Sequence, residues 1–249
     1  MKTEKINFKN SRGLNLVGVL HLPNEKTNKI IILAHGFTSN KGRVRYIEIG
    51  NALTREGYAF LRFDFCGSGE SDEDEITVKN QIDDLKSAIK FVKDKGYVSI
   101  GLLGESLGGL IVAEVYPDYK EEIKCLGLVA PVTQGKTPDL YDEPEIQIEV
   151  QKKGFYLKHK DGKIFRVPKK YIEERKNVNQ KKLLSKIKCP VLIIHGSEDT
   201  TVPPKHSKEA MKYLPKDSRL EIIKGADHDL DIKHGIVPAI SGWFKKYLK

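Results

Sequence analysis

Residues 98–114 read Val-Ser-Ile-Gly-Leu-Leu-Gly-Glu-Ser-Leu-Gly-Gly-Leu-Ile-Val-Ala-Glu. The stretch opens on an apolar run of the kind a fully buried strand needs. It closes on Leu110-Ile111-Val112-Ala113-Glu114, which is helix-like. Between them stands Gly104-Glu105-Ser106-Leu107-Gly108-Gly109. A Gly-x-Ser-x-Gly set between a strand's end and a helix's start is a nucleophile elbow. The turn is so tight that side chains two residues before and after the serine would collide, hence the glycines. It lifts the Ser106 hydroxyl clear of the sheet and aims it at the helix N-terminus, where backbone amides stabilise negative charge. A glycine-rich strand-to-helix turn is the bland alternative; the placement of this one argues for chemistry.

Outward from the elbow, similar runs recur: Ile30-Ile31-Ile32-Leu33-Ala34, Tyr58 to Phe63, Leu126 to Ala130, Val191 to Ile194 and Arg219 to Ile223. Continuous apolar strands, as opposed to alternating ones, predict a parallel sheet covered on both faces. Val78 to Lys93 sets Ile82, Leu85, Ile89 and Val92 on one helical face, and Ile236 to Leu248 does the same with Ile240, Trp243, Phe244 and Tyr247. Glu4 to Phe8 and Leu14 to Leu22, joined by Asn10-Ser11-Arg12-Gly13, predict an antiparallel hairpin at one edge. The fold class is therefore α/β: a mostly parallel twisted sheet with helices on both faces.

From about 131 to 187 the rhythm stops. Phe155 to His159 and Lys163 to Val167 flank Lys160-Asp161-Gly162 as a small hairpin, and Lys169 to Lys176 follows as a short helix. The expectation is a core of residues 1–130 and 188–249 with a cap insertion, 131–187, over one end of the sheet. Phe155, Tyr156 and Tyr171 are the cap's candidates for substrate contact, against the ordinary alternative of packing.

A serine hydroxyl is a weak nucleophile without a base. His228, in Gly225-Ala226-Asp227-His228-Asp229 after the last strand, is the candidate. A carboxylate must hold the imidazole's tautomer, and Gly196-Ser197-Glu198-Asp199-Thr200-Thr201-Val202-Pro203 offers both Glu198 and Asp199. The order serine, acid, histidine is the one this type of sheet uses. The oxyanion donors expected are the amides of Leu107 and Phe37, the latter in the loop His35-Gly36-Phe37-Thr38. The remaining histidines, His195 at a strand's end among them, have structural readings.

With 249 residues, 39% of them hydrophobic, the chain has a core to bury. It carries 43 Lys and Arg against 34 Asp and Glu, or +9, with lysines spread along the chain and often beside an acid. That reads as a solvated, ion-paired surface, and no nucleic-acid motif accompanies it. No run reaches the roughly 18 to 20 apolar residues of a membrane span, and the N-terminus lacks the apolar stretch of a signal peptide. Cys66, Cys125 and Cys189, odd in number and scattered, imply a reducing, cytoplasmic setting. Neither a metal nor a cofactor is expected, for want of a ligand cluster or phosphate-cradling loop. The oligomeric state is open.

With these motifs in hand, the sequence resembles the α/β-hydrolase superfamily, and within it the compact esterases that include the cinnamoyl (feruloyl) esterases. The residues that carry the likeness are His35-Gly36-Phe37, Arg62-Phe63-Asp64-Phe65-Cys66-Gly67-Ser68-Gly69-Glu70-Ser71, the elbow, Gly196 to Pro203, and Gly225-Ala226-Asp227-His228. The resemblance implies that the aspartate three residues before Val-Pro, Asp199, is the triad acid, and that a hairpin-bearing cap is present. It implies a serine carboxylesterase acting through an acyl-enzyme on small-molecule aromatic or short-to-medium acyl esters. Monoacylglycerol lipase or thioesterase activity is the alternative, and a non-catalytic ligand-binding protein the alternative of another class. Glu105 departs from the family, where histidine or alanine is usual. Asp64 and Ser68 read as shaping their loop.

Overall fold

The computed structural model describes residues 2–135, 137 and 144–249. Ten strands run among them: β1 (Lys2–Lys9), β2 (Asn15–Leu22), β3 (Lys29–Ala34), β4 (Ala59–Phe63), β5 (Ser99–Glu105), β6 (Ile123–Val129), β7 (Phe155–Lys160), β8 (Lys163–Pro168), β9 (Val191–Gly196) and β10 (Arg219–Ile223). Eight form one sheet in the order β1-β2-β4-β3-β5-β6-β9-β10. From β4 to β10 neighbouring strands are parallel, while β2 pairs antiparallel with both β1 and β4.

The parallel strands β3, β4, β5, β6 and β9 are buried along nearly their whole length because both faces are covered, whereas β10, at the sheet's edge, is exposed or half-buried throughout. Side-chain alternation divides the core in two. Ile30 and Ile32 of β3 join one apolar cluster, Ile31 and Leu33 the other. The first packs under α2 (Val78–Asp94) and α3 (Leu107–Val115) through Leu85, Ile89, Leu110 and Ile111. The second packs under α1 (Val44–Arg55) and the C-terminal helix through Tyr46, Ile49, Leu53, Trp243 and Phe244. Thr77 caps α2, its side chain accepting from the Asn80 amide at 3.0 Å. Among the described residues no helix is long and apolar enough to cross a membrane.

Between β6 and β9 lie α4 (Pro144–Lys153), the β7–β8 ribbon, α5 (Lys169–Lys176) and α6 (Gln180–Leu184). Of the expected insertion, residues 136 and 138–143 lie outside the described residues. At the ribbon's turn both Asp161 (φ 50°) and Gly162 (φ 74°) take left-handed conformations. That is the geometry an Asp-Gly pair supplies in a two-residue hairpin. Tyr156, Phe165 and Val167 face the core, which seats the ribbon. Helices α7 (Pro204–Ala210) and α8 (Ile236–Tyr247) complete the chain.

Helix α1 has no clear counterpart in the sequence pattern. Its apolar stripe, Tyr46, Ile49 and Leu53, is broken in the chain by Gly50 and Asn51. Gly50 is there because a Cβ would lie 2.7 Å from the Phe60 ring and 3.0 Å from His21. Close approach to the sheet, not helix propensity, selected that residue.

Candidate active site

Ser106 stands between the end of β5 and the start of α3 with φ 52° and ψ −115°. That is a costly conformation for a residue with a Cβ, and it persists because its surroundings fix it. The Ser106 amide donates to Val129 O at 2.9 Å, and its carbonyl accepts from Gly109 N at 3.0 Å and Val132 N at 2.9 Å. The flanking glycines are dictated by contact: a Cβ on Gly104 would sit 2.6 Å from Gly108 O, and one on Gly108 2.0 Å from Ala34 O.

His228 lies in the loop after β10. Its Nε2 is 3.0 Å from Ser106 Oγ and its Nδ1 is 2.7 Å from Asp199 Oδ2. An ionised carboxylate only accepts, so Nδ1–H donates to it and Nε2 is left to accept the serine proton. Asp199 Oδ1 accepts from the amides of Thr201 (2.9 Å) and Val202 (2.8 Å). Burial opposes the charge on Asp199, but hydrogen bonds from His195 and His228 outweigh it and hold the carboxyl well below the usual range. Burial also works against a charged His228; the hydrogen bond and charge of Asp199, helped by Glu105, outweigh it and raise the imidazole's pKa. Glu198, the rival acid, is exposed. Its amide donates to Ala226 O at 2.9 Å, tying the acid loop to the histidine loop.

The expected oxyanion donors are placed as follows. Leu107 is the first residue of α3, so its N–H has no acceptor within the helix. Among the described residues neither Leu107 N nor Phe37 N bonds to a backbone carbonyl. The loop carrying Phe37 is held by His35, whose Nδ1 donates to Gly36 O (2.8 Å) while its Nε2 accepts from Phe65 N (3.1 Å). Burial pushes the pKa of His35 down, which suits this neutral role. The Phe37 ring stacks on Tyr171 of the cap at 4.8 Å and 9°. Tyr171 is thereby joined to the site. Phe155 and Tyr156 are adjacent strand residues and point to opposite faces of the ribbon: Tyr156 is buried inward, and Phe155 lies under the Arg166 guanidinium at 4.3 Å. They do not line one surface.

Two further residues belong here. His195 Nε2 lies 3.0 Å from Asp199 Oδ2 and 2.8 Å from Val202 O, and its Nδ1 is 2.7 Å from Ser207 Oγ. One carboxylate oxygen thus takes two imidazoles. Position at a strand's end hid this role, although a wholly buried imidazole must satisfy both nitrogens. The other is Arg45 of α1, which grips Glu105 with two hydrogen bonds, one of them Nε to Oε2 at 2.8 Å. Its Nη1 reaches Leu230 O (3.5 Å), and Asp229 lies within 3.7 Å. Arg45 therefore links the residue before the serine to the loop of the histidine. Asp64, fully buried, accepts from Lys41 N (2.6 Å), Lys41 Nζ (2.5 Å) and Glu70 N (2.9 Å) and organises the loop after β4.

The chain is 28% identical over 214 residues, 83% of it and 71% of the relative, to mouse palmitoyl-protein thioesterase ABHD10, mitochondrial. The esterase domain of a Rhodothermus marinus protein superposes with a TM-score of 0.78 at 25% identity, all of both chains being covered. Est1E of Butyrivibrio proteoclasticus, solved with ferulic acid bound, shares the fold with a TM-score of 0.80 at 22% identity, covering 97% of this chain and 98% of that one. The model of the family described as Serine aminopeptidase, S33 matches residues 25–183 and 165–232, which include the elbow, the acid loop and His228. Fold and family match agree, and the chain belongs to this family of α/β-hydrolases.

Proposed function

We propose that the protein is a serine esterase that cleaves carboxylic esters through an acyl-enzyme. The observation that carries this reading is the continuous proton path Ser106 Oγ, His228, Asp199, at 3.0 and 2.7 Å. Ser106 Oγ attacks the ester carbonyl while His228 Nε2 takes its proton. The amides of Phe37 and Leu107 receive the oxyanion, and each such donor is worth about a hundredfold or more in rate. The imidazolium, stabilised by Asp199, gives its proton to the departing alkoxide. Water then enters by the same route and frees the acid.

Thioesters are the second reading, supported by the name of the mouse relative. Nothing in the proton path distinguishes the two, because a thiolate is the easier leaving group. The likeness to Est1E is one of fold, so a feruloyl ester enters only as one member of a substrate panel. The reducing, cytoplasmic setting belongs to the same proposal and is supported by three free, buried cysteines, with burial pushing the Cys66 thiol up to about 12.

The test is labelling and turnover. The protein should react with a fluorophosphonate and hydrolyse p-nitrophenyl short-chain esters, and Ser106→Ala should lose both, with turnover falling by about 10⁶ and the circular dichroism spectrum intact. Undiminished turnover in that variant would refute the assignment.

A further inference from the structure

The chain's charge is unevenly laid out. The cap insertion, residues 131–187, holds 14 Lys and Arg against 8 Asp and Glu, a net +6 of the chain's +9, and within it residues 144–187 hold 13 against 5. This segment is ion-paired too, Arg166 reaching Glu75 of the core at 3.9 Å, but its cations outnumber the acids within it. Four of the five acids are already engaged: Glu149 with Lys153 (3.1 Å), Glu173 with Lys169 (3.4 Å), Asp161 with Arg43 (3.6 Å), and Glu174 with the Val78 amide (2.7 Å).

The ribbon gives this charge a companion. Its register sends Leu157, His159, Ile164 and Arg166 outward, opposite the buried Tyr156, Phe165 and Val167. Leu157 is 41% and Ile164 62% exposed, and Ile148 on α4 is 51% exposed. Lys152, Lys169 and Lys170 stand exposed on the same insertion, while Lys163, on the ribbon's other face, donates to the Gly69 carbonyl at 3.3 Å. Aliphatic side chains set among long, flexible cations suit a boundary between oil and phosphate, where lysine stems lie on apolar surface and ammonium groups reach the head groups. A nucleic acid would want bare aromatic faces for stacking. The phenyl ring on this face, Phe155, is already covered by Arg166, which leaves the His159 imidazole as the stacking surface among the described ribbon residues. An acidic polypeptide would meet the cations and leave Leu157 and Ile164 wet.

We propose that the outer face of the β7–β8 ribbon, with the lysines beside it, docks the protein on an anionic lipid surface. The same cap reaches the candidate site: Asp161 at the ribbon's tip meets Arg43, and Tyr171 stacks on Phe37. Joined to the esterase reading, on which this second step rests, docking makes the substrates acyl esters or thioesters dissolved in or anchored to that surface.

Sedimentation with vesicles tests the docking without catalysis. The full chain carrying Ser106→Ala should bind phosphatidylcholine vesicles containing about one third phosphatidylglycerol at low salt, bind pure phosphatidylcholine poorly, and be released by salt. Lys152→Glu/Lys169→Glu/Lys170→Glu should weaken binding by at least about a hundredfold, since each basic residue near such a surface contributes about tenfold or less and each reversal adds repulsion. Leu157→Ser/Ile164→Ser should weaken it by about tenfold or more. Thermal melts establish that each variant folds. With Ser106 restored, the Leu157/Ile164 variant should keep its rate on a soluble p-nitrophenyl ester and lose rate on the same acyl group carried in anionic vesicles. Failure to bind anionic vesicles, equal binding to neutral ones, unaltered binding in the folded variants, or preference for RNA or polyglutamate over vesicles would each overturn the proposal. Vesicle binding without ester turnover would remove the esterase reading and leave the docking surface standing.

Discussion

Replacing His195 by alanine separates a residue that tunes the site from one that merely fills the core. Asp199 is held by four donors, two amides on Oδ1 and the imidazoles of His195 and His228 on Oδ2. A hydrogen bond to a charged group contributes about 1.5–3 kcal/mol. Spent wholly on the transition state, its loss would cost about tenfold to a hundredfold or slightly more in kcat/KM. The two amides that still fix Oδ1 keep the expected loss near the lower figure. Stability should fall by about 3–5 kcal/mol, because an imidazole volume is vacated and Ser207 Oγ and the Val202 carbonyl lose their partner. The diagnostic effect is on pH. His228 must be neutral to act as base, and its pKa already lies above the usual value of about 6.5. With His195 gone, Oδ2 serves His228 alone and holds the imidazolium more tightly, so the pKa rises further. The acid limb of kcat/KM should therefore move to higher pH by about half a unit to one unit. Profiles on a p-nitrophenyl ester over about pH 5 to 9 read this directly, and His195→Gln, which keeps a donor near Nε2, should restore part of the shift. A merely structural residue would lower the plateau and leave the limb where it was. An unmoved limb with wild-type rates would refute the reasoning.

The Glu105 carboxylate raises the pKa of His228, so Glu105→Gln should move the acid limb the opposite way, down by a few tenths to about one unit, in the same profiles; an upward shift would contradict that sign. Lys41→Met leaves Asp64 buried with two amides and without its ion-pair partner, and should cost about 3 kcal/mol in urea unfolding, Arg62 nearby offsetting part of the charge. Adding Asp64→Asn should recover part of that loss, since the unpaired buried charge is then gone; no recovery would mean that packing, not charge, set the cost.

The strands were legible because their signal is local. β3, β5 and β9 are apolar along their length, for both faces of the sheet are covered. The elbow was legible for the same reason: its glycines are fixed by contacts a few residues apart, such as Gly104 against the Gly108 carbonyl. Helix α1 was not, since Gly50 answers to Phe60 and His21 across the layer, and no spacing rule within the helix encodes that approach.

The site divides along the same line. Serine, acid and histidine each follow a buried strand, so their order and their loops could be read from the chain. What tunes them could not. Arg45 meets Glu105 across 60 positions and the Leu230 carbonyl across 185, and a basic residue on a half-polar helix carries no mark of either partner. His195 lies only four positions before Asp199, but the β9 strand end between them decides that the ring turns inward toward Oδ2. The cap's charge is the opposite case. Its +6 was open to counting segment by segment, and summing over the whole chain hid where it lies. Charge acts over about a Debye length, roughly 10 Å in ordinary buffer, so the quantity that governs binding is the local excess on one face. A chain total of +9 says little about a partner; two thirds of that charge gathered on an insertion with Leu157 and Ile164 bare beside it specifies a phosphate-lined, oily one.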